Sequence, residues 1–261
     1  MHISFLDPFQ ARDSLVHRLD PRVKAVLTLL YVLAVSLTPQ GAWAAFAAFL
    51  ALVLTAAWAA KLGWSYSLRR SFIALPFMLA ALAVPFVTPG PAIYEVPVLG
   101  WTVSEPGFVR FVTILLRAWL AVQAAILLTA TTPFTDLLWS LRNLRIPQAL
   151  VAMLGFMYRY LFVLADEALR MNRARAARSP RIVGAPRPPI GWQARVAGSM
   201  VGSLFLRALE RSERVYAAMA SRGYDGEVRA LVRFQMLGLD WIVLLGVSLS
   251  LVAILTLTLV I

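Results

Sequence analysis

The sequence contains no cysteine, only two histidines and only two lysines, and each shortage excludes a class of chemistry. The lack of cysteine excludes disulfides, thiolate metal ligands and cysteine nucleophiles. His2 follows the initiator methionine, where an amine, a backbone nitrogen and an imidazole can together bind Ni²⁺ or Cu²⁺. The only other histidine is His17, and one imidazole rarely makes a site. We therefore predict no metal site and no cofactor.

Motifs for nucleotide hydrolysis and for common hydrolytic enzymes are also missing. Neither Lys24 nor Lys61 follows a GxxxxGK[ST] phosphate-binding loop, so we expect no ATP hydrolysis by this chain. No SxxK, GxSxG or HExxH motif is present. The adjacent acids Asp166 and Glu167 are predicted to balance Arg170 one helical turn further on, which is an ordinary helix pairing. The chain is therefore predicted not to be an enzyme.

Charged residues are scarce as well, at 15% against about a quarter in soluble domains. Hydrophobic residues reach 60% and are grouped in blocks. A membrane-spanning helix needs about 20 mostly apolar residues, and the candidates are Val23–Leu37, Ala42–Ala60, Phe72–Thr88, Val109–Ala130 and Leu239–Ile261. The first begins at Asp20-Pro21, a carboxylate cap followed by a proline at the first helical position. These features predict an all-α polytopic membrane protein with about five to six transmembrane helices plus two long amphipathic cytoplasmic coupling helices.

The positions of arginine and lysine indicate how the spans are oriented. Four basic residues lie at the start of the first span and three follow the second, whereas the connection 38–41 and the loop 89–107 contain none. This alternation predicts a multi-pass protein of the cell membrane with its N-terminus and residues 131–236 in the cytoplasm. Arg117 lies inside the fourth span, and we expect it to face protein or water rather than lipid.

Residues 131–236 differ from the rest because they contain 16 arginines against seven acidic residues, a net charge of +9. A short amphipathic segment at Phe134–Leu144 is predicted first. Two long helices follow, Gln148–Arg178 and Arg195–Arg222, with a stretch rich in proline and glycine between them. Whether residues 155–164 cross the membrane stays open. The predicted division is a transmembrane bundle at 1–130, a coupling module at 131–236 and a C-terminal transmembrane helix at 237–261.

The second long helix has an apolar stripe that recurs every three or four residues. Its members are Val196, Met200, Val201, Leu204, Phe205, Leu209, Val215, Tyr216 and Met219. Two long helices with such faces can pack on one another and on the membrane bundle. They are therefore predicted to form a stiff cytoplasmic arm.

Both long helices end with an arginine among small residues, at Ala174-Arg175-Ala176 with Arg178 close by, and at Ser221-Arg222-Gly223. Arginine near a helix C-terminus interacts with exposed carbonyl groups, and Gly223 can adopt a left-handed cap, so solvated helix ends are one interpretation. Recognition is the other, because small neighbours let a partner approach and a guanidinium offers five donors in a rigid fork. The repetition favours a dimeric partner with two similar grooves.

The chain resembles the transmembrane coupling component, or T component, of energy-coupling-factor (ECF) transporters. Three segments carry the resemblance: HRLDPRVKA (17–25), GFMYRYLFVLADEALRMNRARAARS (155–179) and GSLFLRALERSERVYAAMASRGYDG (202–226). The sequences of these segments are most similar to the cobalt and nickel subgroup, the CbiQ type. The resemblance implies a subunit of an ABC-type importer that moves no substrate alone. It bridges a membrane-embedded substrate-binding subunit and a pair of ABC-type ATPases.

The resemblance also implies that the arginines of two Ala-Arg-Gly-like motifs insert into grooves of the two ATPase subunits. In this sequence they correspond to Arg175 and Arg222. The first motif has Ala176 where glycine is usual, so Arg178 is an alternative, and the second has Ser221 in place of alanine.

Three other functions compete with uptake of cobalt or nickel: the T component of a vitamin importer, a membrane enzyme acting on a lipid-linked substrate, and a membrane-tethered nucleic-acid binder. The sequence has no cluster of carboxylates or histidines at one membrane depth, which disfavours the enzyme. Its arginines alternate with acids and no aromatic platform for single strands accompanies them, so no nucleic-acid partner is predicted. The identity of the ion or vitamin stays open, as does whether the ATPases are identical.

Overall fold

The computed structural model describes residues 9–63, 71, 79–96, 101–179, 189–226 and 234–260. In chain order the elements are α1 (Leu15–Arg18), α2 (Pro21–Leu37), α3 (Trp43–Ala59), α4 (Val84–Val87), β1 (Ala92–Val96), β2 (Trp101–Ser104), α5 (Glu105–Thr131), α6 (Phe134–Asn143), α7 (Gln148–Arg178), α8 (Ile190–Ala220) and α9 (Gly238–Val260). The predicted all-α polytopic class is confirmed. The strands β1 and β2 add one small antiparallel hairpin within the loop that was predicted at 89–107.

Three of the described helices are long and apolar enough to cross a membrane, namely Glu105–Thr131, Gln148–Arg178 and Gly238–Thr258. The helix Trp43–Ala59 is apolar but shorter. The predicted span Phe72–Thr88 lies partly outside the described residues, at 72–78. In the described remainder the helix is interrupted before α4, where Pro85 has no N–H to continue the hydrogen-bond ladder.

The chain forms two compact units. One is Arg145–Leu231, and the other combines His2–Leu144 with Val232–Ile261. We call them the helix-pair unit and the bundle unit. Helix α6 packs against α2 in the bundle unit, where the Arg22 guanidinium lies 4.2 Å from the centre of the Trp139 ring. The module boundaries predicted at 131 and 236 remain a prediction.

The bundle unit has a core built from one face each of α2, α3, α5 and α9. Tyr31, Phe49, Leu120 and Leu251 are buried together there. The Tyr31 hydroxyl donates to the Phe49 carbonyl oxygen at 3.1 Å, so the one polar atom of this aromatic pair is satisfied. These contacts hold the apolar helices side by side.

The starts of α2 and α9 are tied by two buried carboxylates. Asp20 caps α2, because its Oδ1 accepts from the Arg22 N–H at 2.8 Å and Pro21 takes the first helical position, as predicted. Asp240 accepts from the Asp20 N–H at 2.9 Å and from the Leu237 N–H at 2.8 Å. These carboxylates accept from backbone N–H groups that would otherwise lack a partner at the helix starts. The bond between Asp20 and Asp240 joins residues that are 220 positions apart in the sequence.

Arg117 in α5 faces protein, as expected for a charged side chain inside a span. Its Nη2 donates to the carbonyl oxygen of Thr38, the buried residue that ends α2. The guanidinium therefore binds an orphan carbonyl at a helix C-terminus, a favourable place for a cation.

Candidate functional site

The helix-pair unit consists of two helices of 31 residues each, α7 and α8. At 1.5 Å per residue each is about 45 Å long. Residues early in α7 share one groove with residues late in α8, and residues late in α7 share a second groove with residues early in α8. The helices are therefore antiparallel, and their two C-termini lie at opposite ends of the pair.

An ion pair joins the helices at the wall of the second groove. The Arg207 Nη1 donates to the Glu167 Oε1 at 2.6 Å, and Arg170 contacts the second oxygen of the same carboxylate. The Glu167 side chain is only 16% exposed, whereas both arginine side chains are about 60% exposed. The predicted pairing of Glu167 with Arg170 is confirmed, and Arg207 is an additional partner from the other helix.

The groove between early α7 and late α8 is apolar, with a volume of about 610 Å³. Its wall from α7 includes Met153, Phe156 and Leu164, and its wall from α8 includes Val215 and Met219. Part of the stripe predicted for α8 therefore lines this groove. The side chains remain accessible, with Met153 65% exposed.

The groove between late α7 and early α8 is basic, with a volume of about 650 Å³. Four arginines line it, together with one acid, one indole and smaller side chains: Arg170, Arg175, Arg178, Arg207, Glu167, Trp192, Ala174 and Ser179. The first arginine motif thus borders a concave surface of net positive charge, which favours an acidic or carbonyl-rich partner.

At the end of α7 the two candidate arginines have different surroundings. Arg175 is half-buried in the basic groove, and Arg178 is exposed at the last helical residue. The Ser179 N–H is shared between the carbonyl oxygens of Arg175 at 3.1 Å and Ala176 at 3.4 Å. Ala174 lines the groove and Ala176 is exposed outside it.

The end of α8 is closed by a Schellman motif. The Tyr224 N–H donates to the Met219 carbonyl at 3.1 Å and the Gly223 N–H donates to the Ala220 carbonyl at 3.0 Å. Gly223 has a φ of +78°, the left-handed conformation that glycine adopts without a steric penalty. Ser221 and Arg222 are exposed on the turn that this motif fixes.

The two helix ends are therefore not built alike, although the sequence suggested that they close the same way. Arg175 lies one turn before the end of α7, whereas Arg222 lies just beyond α8, on the cap. The physical reason is that α8 is followed by Gly223, which continues the turn in the left-handed region. After α7 the sequence has Ser179 and then Pro180, and proline cannot extend the helix.

Sequence reasoning missed Arg207, although a signal for it exists. In an antiparallel pair, residues equally distant from the turn lie at the same level. Glu167 and Arg207 are each 20 residues from position 187, in the proline- and glycine-rich stretch.

Among the residues that the structure describes, no three histidines or acids lie together as a metal-ligand group.

Comparison with known proteins places these features in context. A family model described as "Cobalt transport protein", CbiQ, matches residues 12–232. An uncharacterised protein of Methanocaldococcus jannaschii is 25% identical over 236 residues, covering 88% of this chain and 78% of that protein. The cobalt transport protein CbiQ of Rhodobacter capsulatus is 32% identical over 155 residues, which is 59% of this chain and 61% of that protein. The energy-coupling factor transporter transmembrane protein EcfT of Brevibacillus brevis is 28% identical over 244 residues, covering 88% and 87% of the two chains.

Proposed function

This chain belongs to the CbiQ family of cobalt transport proteins, and we propose that it couples two ABC-type ATPases to a membrane-embedded substrate-binding subunit for the uptake of cobalt. As the transmembrane component of an ECF transporter it is a transport protein and not an enzyme. The proposal adds to this the number of ATPases, the ion and the residues that dock.

The observation that carries the docking proposal is the position of the arginine motifs at opposite ends of an antiparallel helix pair. In the proposal, the Ser221-Arg222-Gly223 turn inserts into one ATPase, and the end of α7, with Ala174-Arg175-Ala176 and Arg178, inserts into the other. Guanidinium groups at helix ends suit this role, because each offers five donors to carboxylates and carbonyls. Two such ends about 45 Å apart suit two ATPase subunits better than one.

The proposed mechanism treats α7 and α8 as levers that meet at the Glu167–Arg207 ion pair. Nucleotide-driven closure of the ATPases moves their grooves toward each other, and the arginine-bearing ends follow. Because the two grooves leave room between the helices, the crossing angle can change without unpacking a core. This motion shifts the helix segments that form the apolar groove, early α7 and late α8. The shift changes how tightly this chain binds the substrate-binding subunit.

The ion is proposed from the family and from the cobalt transport protein of Rhodobacter capsulatus. Nickel is the second ion of the resembling subgroup. A vitamin importer is the alternative, since the relative from Brevibacillus brevis is named only as an energy-coupling factor transporter transmembrane protein, without an ion. Uptake assays with radioactive cobalt, nickel and vitamins, using the complete transporter, distinguish these substrates.

Charge reversal at both ends tests the docking proposal. The double variant Arg175→Glu with Arg222→Glu is expected to lose co-purification of the ATPases, because each groove would meet a carboxylate instead of a guanidinium. The matched control is Arg195→Glu with Arg214→Glu, which makes the same charge change at two exposed positions of α8 outside the basic groove.

Equal ATPase recovery from the test and control variants would show that the arginine ends are not the docking sites. A second double variant, Arg178→Glu with Arg222→Glu, tests the alternative arginine of the first motif. The variant that loses more ATPase identifies the docking arginine.

A further inference from the structure

A polar cavity lies in the bundle unit. Its volume is about 480 Å³ and it is lined by charged side chains from the segment before α1, from α1 itself, from α2 and from α6. The charged and titratable groups facing it are Arg12, Asp13, His17, Arg18, Lys24 and Asp136. Such a cavity is suited to a small polar headgroup.

The walls of the polar cavity are fixed by hydrogen bonds between distant segments. The Gln10 N–H donates to the Ala130 carbonyl at 3.0 Å, and Arg12 donates to the Lys61 carbonyl. The His17 ring bonds to the Ser14 hydroxyl at 2.6 Å and to the Gln10 carbonyl at 3.0 Å. The segment before α1 is thereby anchored to the ends of α3 and α5.

The charges that face the cavity favour an anion. Burial lowers the pKa of the His17 imidazole and raises the pKa of the Asp136 carboxyl, so both groups ionise less readily than in water. Arginine stays protonated at any physiological pH. Arg12 and Arg18 therefore keep their charges, whereas the Asp136 carboxyl ionises less readily.

An apolar cavity of about 430 Å³ adjoins the polar one in the same unit. It lies between α2, α3, α5 and α9 and is lined by side chains such as Leu27, Ala56, Leu127 and Val243. Its surface is almost wholly apolar, as an acyl chain requires. The side chains of these four residues are only partly buried, so the cavity is open to the surface of the bundle unit.

Leu19, Lys24 and Thr131 line both cavities and mark the boundary between them. The Lys24 ammonium is buried at this boundary and donates to the carbonyl oxygens of His17 and Thr131, each at 3.2 Å. A lysine has three donors, and in the described part of the chain no acceptor is assigned to the third. A cation therefore sits where a polar compartment meets an apolar one.

We propose that the paired cavities bind one phospholipid, with the phosphate in the polar cavity beside Arg18 and Lys24 and an acyl chain in the apolar cavity. Both compartments match the ligand, since a phosphate needs charged donors and a chain needs apolar walls. The bound lipid would join the segment before α1 to α2, α3, α5 and α9. The proposal is independent of ATPase docking.

Lipid that stays bound through purification tests this proposal. The chain is purified in detergent, and phospholipid is counted by native mass spectrometry and by phosphorus analysis. Arg18→Glu is expected to weaken binding roughly tenfold, the loss of one charge-assisted contact. Its matched control is Arg110→Glu, an exposed arginine near the start of α5 and about 30 Å along that helix from Thr131.

A second pair of variants tests the acyl chain separately. Ala56→Phe fills the apolar cavity and is expected to reduce bound lipid by a similar factor. Its matched control is Ala51→Phe, because Ala51 is exposed on the same helix and lies outside the cavity. Loss of lipid in both test variants, with lipid retained in both controls, supports one lipid across the two cavities.

Four results would overturn the proposal: no phospholipid on the purified chain, equal lipid in test and control variants, loss in only one of the two test variants, or binding of inorganic phosphate alone. Reconstitution with lipids of anionic or zwitterionic headgroup, or with inorganic phosphate alone, identifies the ligand. Phosphate alone as the ligand contradicts the proposal, because a free anion needs no acyl cavity.

Discussion

The bundle unit and the helix-pair unit use their apolar residues in opposite ways. In the bundle unit, Phe49 and Leu120 are almost completely buried within the chain itself. In the helix-pair unit, α7 buries only Ala152 and α8 buries no residue among those described. An amphipathic helix whose apolar face stays exposed must cover it with lipid or with another protein. The bundle unit therefore stabilises the subunit, and the helix pair presents surfaces to partners.

Truncating one phenylalanine in each unit should give the largest difference. Phe49→Ala in the bundle core is expected to lower the free energy of unfolding by about 3–5 kcal/mol, from lost burial and the cavity left behind. Phe205→Ala is the matched control, because that side chain is 66% exposed on α8, and its effect should stay within about 0.5 kcal/mol. Both are measured by denaturant titration in mixed micelles. Similar losses for the two variants would remove the distinction between the units.

The buried carboxylate at the start of α9 should give the next largest effect. Asp240→Ala leaves the N–H groups of Asp20 and Leu237 without their acceptor and is expected to cost about 2–3 kcal/mol. Glu213→Ala removes an exposed acid from α8 and should change stability little. The same titration measures both. An unchanged midpoint for Asp240→Ala would mean that water replaces these bonds.

Replacing the glycine that caps α8 should affect stability and partner binding by similar amounts. Gly223→Ala forces alanine into a left-handed conformation, at a cost of about 1 kcal/mol, and should weaken ATPase association roughly fivefold. Gly202→Ala, in the middle of the same helix with open space around it, should instead stabilise α8 by a few tenths to about 1 kcal/mol. ATPase binding is measured by titration of the purified subunits. Equal binding by the two variants would show that the Schellman turn does not position Arg222.

The sequence predicted the elements whose signals are local. Gln148–Arg178 has the predicted bounds, because Pro147 starts that helix and Ser179-Pro180 ends it. Helix α8 begins at Ile190, five residues before the predicted Arg195, because Pro189 precedes a first turn whose glycine suggested a loop. The hairpin β1–β2 was missed, since the absence of basic residues reports orientation and not strand pairing.

The site could be predicted only where one residue type carries the signal. The two arginine motifs were found because arginine recurs among small residues near helix ends. Their unequal geometry depends on whether a helix can continue into a left-handed turn, which requires Gly223 at the right position. Arg207 and the paired cavities of the bundle unit depend on side chains far apart in sequence, so no local pattern reveals them.

The most direct test of the central claim is an experimental structure of the complete transporter with its ATPases bound. The account predicts that the guanidinium of Arg222 lies in a groove of one ATPase, and that Arg175 or Arg178 lies in the corresponding groove of the other. Each should be within hydrogen-bond distance of carboxylate or carbonyl oxygens. A structure in which the ATPases contact other parts of this subunit, with all three arginines in solvent, would contradict it.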